Sequence, residues 1–185
     1  ETAVFGGIPL AAYHDRLKCG VAIVDLARGQ IIAEFEFVSG VEEAASVVST
    51  TDEDWRASVS RNLDTTFYVI RAAIPVLTDG LGRIVNISSV LGVRAIPKVP
   101  LSVYGATKGG LAQVTRVMAV EWAKDNVQVN CLNPGFMITP LTEEPLWGHE
   151  RRSHWIRNRI PARRPGKPEE LIGAALLLAT DASSY

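Results

Sequence analysis

The spacing of hydrophobic and polar residues changes near residue 50 of this chain. Residues 20–38, GVAIVDLARGQIIAEFEFV, contain two strand-like runs, Val21 to Asp25 and Ile31 to Val38, around a short loop that includes Gly29. A parallel crossover needs a dozen or more residues between its strands, and residues 26–30 cannot supply them. The pattern therefore predicts a β-hairpin.

After residue 50 the pattern alternates between helical and strand periods. Thr50 and Glu53 have the spacing of a capping box and predict the start of a helix that runs to Pro75. Its apolar positions at helical spacing are Trp55, Val59, Leu63, Phe67 and Ile70. Strands are predicted at 83–88 (RIVNIS) and 127–133 (VQVNCLN), with a helix between them at 104–124, a stop at Pro134-Gly135, and a further helix beginning at Pro168. This alternation predicts an α/β layer with a parallel sheet.

Composition narrows the function classes. The chain has 185 residues, of which 47% are hydrophobic and 21% charged, with a formal net charge of -1. These values are typical of a folded globular domain and give no general reason to expect nucleic acid or an anionic membrane as a partner. No apolar run approaches the roughly 20 residues that span a bilayer. Cys19 and Cys131 stand far apart without a CxxC spacing, which favours a reducing compartment, and we expect a cytoplasmic protein.

A cluster of arginines and a pair of histidines raise the question of nucleic-acid and metal binding, and neither is predicted. An arginine cluster lacks interleaved stacking aromatics and a net basic domain, so it predicts a solvated loop or subunit contact instead of a nucleic-acid site. His149 and His154 are five residues apart, not four, and do not predict a metal site. The arginines of the cluster are Arg151, Arg152, Arg157, Arg159, Arg163 and Arg164.

A tyrosine and a lysine at the start of the predicted helix at 104–124 are candidates for a role in proton transfer. Positions four apart on a helix are neighbours, so the Lys108 ammonium can lie near the Tyr104 hydroxyl and favour its ionised form. That lowers the phenol pKa from its usual value near 10 and makes it a usable proton donor and acceptor. Ser88 and Ser89 end a predicted buried strand, where α/β sheets place their ligand crevice. Strand alternation allows only one of the two hydroxyls to face it.

Together, several segments resemble the short-chain dehydrogenases/reductases. The resemblance covers about residues 51–185 and implies a partial Rossmann-like three-layer α/β/α unit with parallel strands, preceded by the N-terminal β-hairpin. The segments that carry it, in the family's order, are NL at 62–63, GRIVNISSVLG at 82–92, YGATKGGL at 104–111, VQVNCLNPGFMITPL at 127–141 and RRPGKPEELIGAALLLATDASSY at 163–185.

The resemblance assigns roles to four residues. Tyr104 would transfer the proton and also contact the cofactor, and Lys108 would lower the pKa of Tyr104 and bind the nicotinamide ribose. Ser89, which immediately precedes VLG, would hold the substrate oxygen, and Asn62 would anchor a water in the proton relay. The implied reaction is reversible hydride transfer between NAD or NADP and an alcohol or ketone, with the cofactor supplying the redox chemistry. Residues matching the loop at the nicotinamide end are Pro134, Gly135, Ile138 and Thr139.

The family's glycine-rich pyrophosphate loop has no counterpart in this sequence. No GxGxxG or GxxxGxG string occurs, the NAG segment is missing, and the chain begins with Glu1 and ends at Tyr185, before the family's closing glycine-containing strand. We therefore expect a fragment in which 51–185 form the catalytic half without the ADP-binding half. Residues 1–49 resemble a strand-rich piece of an uncharacterised bacterial β-propeller-like family, which predicts a junction at 48–51.

Two functions remain open at this point. One is an oxidoreductase acting on a small molecule, and the other is a non-catalytic remnant or interaction module that has lost cofactor binding. The segment 141–164 corresponds to the family's mobile lid, and its Trp147, His149, His154, Trp155 and arginines favour a polyol or sugar acid as substrate. The apolar stripe on 111–123 predicts core or an oligomer interface, and the complete protein is expected to be a homo-oligomer.

Overall fold

The computed structural model describes residues 46–78 and 82–184 in full, and the backbone of four strands before them. These strands are β1 (Val4–Phe5), β2 (Ile8–Pro9), β3 (Val21–Asp25) and β4 (Gln30–Phe35). The remaining N-terminal residues, including Cys19 and the end of the predicted strand at 31–38, lie outside the described residues. The predicted hairpin is confirmed, because β3 pairs antiparallel with β4.

Helices and strands alternate after residue 50, as the periodicity predicts. The α-helices are α1 (Asp52–Val59), α2 (Thr65–Leu77), α3 (Ser102–Glu121), α4 (Glu150–Arg157) and α5 (Ile172–Ala179), with a single turn at Pro140–Thr142. The later strands are β5 (Gly82–Ile87) and β6 (Gln128–Leu132). Wider π turns cover Ser60–Asp64 and Glu143–Trp147, and 3₁₀ turns cover Val90–Gly92, Ala123–Asp125, Pro168–Leu171 and Asp181–Ser183.

The main sheet has the strand order β4-β3-β5-β6 and is mixed. Strands β5 and β6 are parallel, with Arg83 opposite Gln128 and Ile87 opposite Leu132. Strand β3 is antiparallel to β5 as well as to β4, so the hairpin extends the same sheet. The parallel pair brings the carboxyl ends of β5 and β6 to one edge, which is where α/β sheets bind ligands.

The first helix begins one residue later than the sequence pattern indicates. Thr51, not Thr50, is the N-cap: its hydroxyl accepts from the N–H of Asp54 at 3.1 Å, and its own N–H donates to the Asp54 carboxylate at 3.2 Å. The Thr50 hydroxyl donates instead to the carbonyl of Ser46 at 2.9 Å. The predicted capping box of Thr50 and Glu53 is therefore wrong, because the preceding turn already uses the Thr50 side chain.

The buried face of α1 and α2 differs from the predicted apolar stripe. Trp55 and Phe67, expected in the apolar stripe, are 48% and 39% exposed. The buried positions are Ser58, Asn62, Thr66 and Ile70, of which only Ile70 belongs to the predicted stripe. A π turn holds more residues than an α turn, so side chains spaced four apart stay on one face through it.

Helices cover both faces of the sheet. Ile84 of β5 packs with Ile70 of α2 and Met118 of α3 on one face, in a cluster completed by Ala73, Leu77, Val127 and Val129. Successive strand residues point to opposite faces. Arg83 is accordingly buried on the other face, where its guanidinium lies 3.5 Å from the carboxylate of Asp181, just beyond α5. The predicted three-layer α/β/α arrangement is confirmed.

Candidate active site

The carboxyl end of β5 continues into a tight segment that carries both predicted serines. Ser89 has extended backbone angles and caps the turn Val90–Gly92, its hydroxyl accepting from the N–H of Leu91 at 3.2 Å. The Ser88 hydroxyl donates to the main-chain carbonyl of Lys108 at 2.7 Å and is buried against α3. Strand alternation thus gives the two adjacent hydroxyls different partners.

Helix α3 brings Tyr104 and Lys108 to the same strand end. The Lys108 ammonium lies 5.7 Å from the centroid of the Tyr104 ring and donates to the carbonyl of Ile87 at 3.1 Å. Lys108 is only 5% exposed. A buried cation needs polar partners, and the Ile87 carbonyl and the ring face supply two of them. The i, i+4 neighbourhood predicted from the sequence is therefore present in the structure.

Glycines on α3 and on the Ser89 turn allow the backbones to approach closely. A Cβ at Gly92 would lie 2.7 Å from the carbonyl carbon and oxygen of Lys108. A Cβ at Gly109 would lie 3.4 Å from the Gly92 carbonyl oxygen, and one at Gly105 would lie 3.4 Å from that of Leu91. Sequence reasoning missed these residues. The signal was available, since Gly105 and Gly109 are four apart and share a helical face with each other.

Asn62 lies in the π turn beside α3. It is buried, and its side-chain amide donates to the carbonyl and hydroxyl oxygens of Ser58, at 3.1 Å and 3.3 Å. The neighbouring Leu63 packs close to α3, because a Cβ at Gly110 would lie 3.4 Å from a methyl of Leu63. The structure therefore places Asn62 in a π turn that packs against the middle of α3, with its amide held by Ser58 of the preceding turn.

The turn predicted to contact the nicotinamide follows β6 and packs on the Ser89 segment. The N–H of Val90 donates to the carbonyl of Pro134 at 2.9 Å. Ile138 donates its N–H to the carbonyl of Gly166 at 2.8 Å, and the Thr139 hydroxyl caps the turn at 140–142. Gly135 is exposed, with no described atom within 4 Å of an added Cβ. Pro134 is thus joined directly to the segment that contains Ser89.

The segment after this turn holds its own polar and aromatic groups together. Trp147 donates its indole N–H to the carbonyl of Met137 at 3.1 Å, and the Arg159 guanidinium lies 3.5 Å from the centroid of the Trp155 ring. His154 and Asn158 are joined by a 2.8 Å hydrogen bond. In the described part of the chain, no group of three or more His, Cys, Asp or Glu side chains is placed to hold a metal ion.

A comparison with known families identifies the fold family. The family model described as Enoyl-(Acyl carrier protein) reductase matches residues 36–185. The chain belongs to the short-chain dehydrogenase/reductase family. No helix among the described residues is long and apolar enough to cross a membrane.

Several similar proteins are named as dehydrogenases of gluconate or of a related sugar acid. The gluconate 5-dehydrogenase of Gluconobacter oxydans is 37% identical over 100% of this chain and 70% of its own length. The 2-dehydro-3-deoxy-D-gluconate 5-dehydrogenase of Escherichia coli is 36% identical over 83% of this chain and 63% of its own length. A crystal structure of a gluconate 5-dehydrogenase from Burkholderia cenocepacia, in complex with NADP and tartrate, has a TM-score of 0.73 and 36% identity, covering 80% of this chain and 57% of that chain.

This chain is shorter than its relatives. It spans 70%, 63% and 58% of the lengths of three curated relatives that match it. The family match begins at residue 36, whereas the alignment with the Gluconobacter enzyme takes in the whole chain. The division into a segment of unrelated origin at 1–49 and a catalytic half at 51–185 stays a prediction.

Proposed function

We propose that this chain carries the catalytic site of an NAD- or NADP-dependent oxidoreductase that interconverts an alcohol and a ketone. The observation that carries the proposal is the convergence of Ser89, Tyr104 and Lys108 at the carboxyl end of β5. The contacts of Lys108 with Ile87 and Ser88 fix α3 against this strand end. Two separate sequence elements, the segment that ends β5 and the helix α3, thereby meet at one place.

Each of these side chains has a chemical task in the proposal. Tyr104 exchanges a proton with the substrate oxygen, and the nearby Lys108 ammonium stabilises its phenolate form. The Ser89 hydroxyl accepts from Leu91 N–H, and it can donate its own proton to the substrate oxygen. Asn62 uses its amide N–H on Ser58, and its amide oxygen is an acceptor that suits a water in a proton relay.

The described residues fit the nicotinamide end of the cofactor. When bound, the cofactor supplies hydride chemistry at its nicotinamide ring. Lys108 would donate to the ribose, and the turn of Pro134, Gly135, Ile138 and Thr139 would border the ring. The contact between Val90 and Pro134 supports this, because it holds the turn next to Ser89. Within the described residues no glycine-rich loop precedes a helix, so we expect this chain alone to bind NAD(P)H too weakly to detect.

The proposed substrate is a polyol or sugar acid. The names of three relatives support this choice: gluconate 5-dehydrogenase, 2-dehydro-3-deoxy-D-gluconate 5-dehydrogenase and D-arabinitol 2-dehydrogenase. The tryptophans, histidines and arginines of the segment 141–164 offer stacking and hydrogen-bonding groups suited to hydroxyl-rich ligands. Other relatives are named 3-oxoacyl-[acyl-carrier-protein] reductase, which makes an acyl thioester the competing substrate class to test.

We further propose that the complete protein is a cytoplasmic homo-oligomer. Helices α2 and α3 expose apolar side chains, among them Tyr68, Val117 and Val120, and Val120 is 80% exposed. The groove on α3 beside Val117 and Val120 is lined also by Gln113, Arg116 and Glu121. An apolar surface with a polar border is typical of a protein interface. Cys131 as a free thiol agrees with a reducing compartment.

The alternative is a non-catalytic remnant or interaction module. The observation that favours it is the lack of a GxGxxG or GxxxGxG string in the printed sequence. It predicts that a completed protein would show no hydride transfer even with the cofactor-binding half restored.

A chimaera separates the two functions. Residues 51–185 are joined to the N-terminal cofactor-binding half of the Gluconobacter gluconate 5-dehydrogenase, and NAD(P)H formation is followed with gluconate, a sugar alcohol, a steroid alcohol and a 3-hydroxyacyl thioester. We expect turnover, with preference for the first two. Tyr104→Phe should lower kcat by about 10²–10⁴-fold while cofactor affinity is kept, because only proton transfer is lost. Tyr68→Phe, at an exposed tyrosine, is the matched control.

Three results would count against these proposals. Full turnover in the Tyr104→Phe chimaera contradicts the assignment of the proton donor. A folded chimaera that binds NADPH but oxidises none of the four substrates favours the non-catalytic alternative. A clear preference for the steroid or the thioester contradicts only the polyol assignment.

A further inference from the structure

We propose that Ser88, the neighbour of the substrate-binding serine, is a positioning residue that sets the distance between the Lys108 ammonium and the Tyr104 phenol. Its importance for catalysis rests on the proposed function, but its effect on the pair is measurable without any reaction. The proposal stands on three contacts at the end of β5.

Ser88 joins three elements at one residue. It is only 4% exposed and follows β5 directly. Its N–H donates to the carbonyl of Leu132 at the end of β6, at 2.8 Å. Its hydroxyl donates to the main-chain carbonyl of Lys108 in α3, at 2.7 Å. The residue therefore ties the two parallel strands to the helix that carries Tyr104 and Lys108.

Lys108 is held at both of its ends by consecutive residues. The Ile87 carbonyl accepts from its ammonium at 3.1 Å, and the Ser88 hydroxyl binds its main-chain carbonyl. Fixing both the backbone and the tip of a long flexible side chain removes most of its freedom. The ammonium is thereby kept at its 5.7 Å distance from the Tyr104 ring centroid.

The Ser88 hydrogen bond is not needed to complete the helix. Inside an α-helix a carbonyl accepts the N–H of the residue four positions on, so Lys108 lies within a ladder that is closed without Ser88. The serine hydroxyl adds a second donor to a carbonyl with two lone pairs. Gly92 makes room for it, since a Cβ there would lie 2.9 Å from the Ser88 hydroxyl oxygen and 2.7 Å from the Lys108 carbonyl. The hydrogen bond from Ser88 therefore positions α3 against the end of β5, and the helix does not need it in order to form.

The test measures the titration of the Tyr104 phenol directly. The chain has four tyrosines, so labelling with tyrosine carrying ¹³C at Cζ gives few signals, and Tyr104→Phe assigns the one of interest. We titrate the complete 185-residue chain and its Ser88→Ala variant over the alkaline range. Because an ammonium nearby favours the phenolate, loosening Lys108 should raise the Tyr104 midpoint by about half a pH unit or more.

Thr115→Ala is the matched control. Thr115 is also buried on α3, and its hydroxyl donates to the Leu111 carbonyl of the same helix at 2.7 Å while accepting from the Asn86 amide at 2.9 Å. This variant loses at least as many hydrogen bonds but keeps the tie to Lys108. The Tyr104 midpoint should stay within about 0.2 pH units of the parent value.

Two outcomes overturn the proposal: an unchanged Tyr104 midpoint in Ser88→Ala, or an equal shift in Thr115→Ala. If Ser88→Ala does not fold, Ser88→Cys carries the test, because a thiol is a weaker donor of similar size. Its Tyr104 midpoint should rise above the parent value, and no rise overturns the proposal. The titration uses no cofactor and no substrate. A chimaera without hydride transfer would thus refute the proposed function and leave this result readable.

Discussion

Lys108 carries a charged side chain that is almost completely buried from solvent. Burying an unpaired ammonium is costly, and here the Ile87 carbonyl and the face of Tyr104 offset part of that cost. These partners also fix where the charge sits before any ligand arrives. An ammonium already in place need not reorganise when a phenolate develops beside it.

Removing this charge should impair both catalysis and cofactor binding in the chimaera. Lys108→Ala takes away the ammonium that favours the Tyr104 phenolate and the donor proposed for the ribose. We expect kcat to fall and the Kd for NADPH, from fluorescence titration, to rise, whereas Tyr104→Phe changes only kcat. An unchanged Kd for NADPH in Lys108→Ala would contradict the proposed contact between Lys108 and the ribose.

Gly92 should be the glycine least tolerant of a side chain near the site. Gly92→Ala would force a Cβ to within 2.7 Å of the Lys108 carbonyl, so either α3 or the turn must move. Overpacking of this kind typically costs about 1–3 kcal/mol, measurable by urea unfolding. Gly135→Ala is the control, since no described atom lies within 4 Å of its added Cβ. Equal stability of the two variants would show that the turn yields freely.

At the scale of elements, sequence periodicity located the strands and helices but not their exact faces. RIVNIS was recognisable as a short, mostly apolar run with three β-branched residues, and VQVNCLN by the alternation of its apolar and polar positions between a helix and Pro134. The buried face of α1 and α2 could not be recognised, because Ser58, Asn62 and Thr66 are polar. The π turn could not be recognised either, because it has no characteristic spacing of hydrophobic residues. Likewise, Tyr104 and Lys108 were predictable from i, i+4 spacing, while the bond from Ser88 to Lys108 depends on tertiary packing.

The start of α1 gives a direct test of the corrected capping position. Thr51→Ala removes the acceptor for the Asp54 N–H and should destabilise the chain by about 1 kcal/mol. Thr50→Ala removes only the bond to Ser46 in the exposed turn before it and should cost clearly less. Urea unfolding followed by circular dichroism compares the two. A larger loss for Thr50→Ala would restore the capping box first predicted from the sequence.

The turn before α5 should add an acid-sensitive contribution to stability. Two hydrogen bonds from Arg164 at 2.7 Å and 2.6 Å, and one from the Lys167 N–H, lower the pKa of Glu170 from 4.5 to about 2. A lowered folded-state pKa stabilises the protein above pH 4.5, and this stabilisation is lost as the pH falls through about 2. Glu170→Gln should therefore flatten the dependence of the unfolding midpoint on pH in this window, by a modest amount because the pair is exposed. An unchanged slope would mean that the pair adds nothing measurable.

At the scale of the whole molecule, one sheet joins the parallel pair β5 and β6 to an antiparallel neighbour, β3. Strands β5 and β6 keep the parallel pairing that places Ser89 and Pro134 side by side, whereas β3 enters the same sheet antiparallel. The hairpin could be predicted from loop length, but its pairing with β5 could not, because register between distant strands is decided by packing. The candidate residues lie at the end of β5, on α3, in the turn after β6 and in the π turn of Asn62, and none of them lies on β3 or β4.

The exposed face of α2 and α3 leads to the last prediction, which concerns assembly. Val120 is 80% exposed and the nearby Val117 is 52% exposed, and burying such side chains against a second copy would recover hydrophobic free energy on both. A lysine at this position would place two like charges near each other across a symmetric interface and desolvate both. Val120→Lys should therefore shift the chimaera toward monomer in sedimentation velocity, with kcat per folded protomer measured alongside. Val93→Lys alters an equally apolar, exposed residue outside these helices and should leave the sedimentation coefficient unchanged. If Val120→Lys sediments like the parent, the self-association surface must lie on another face of the molecule.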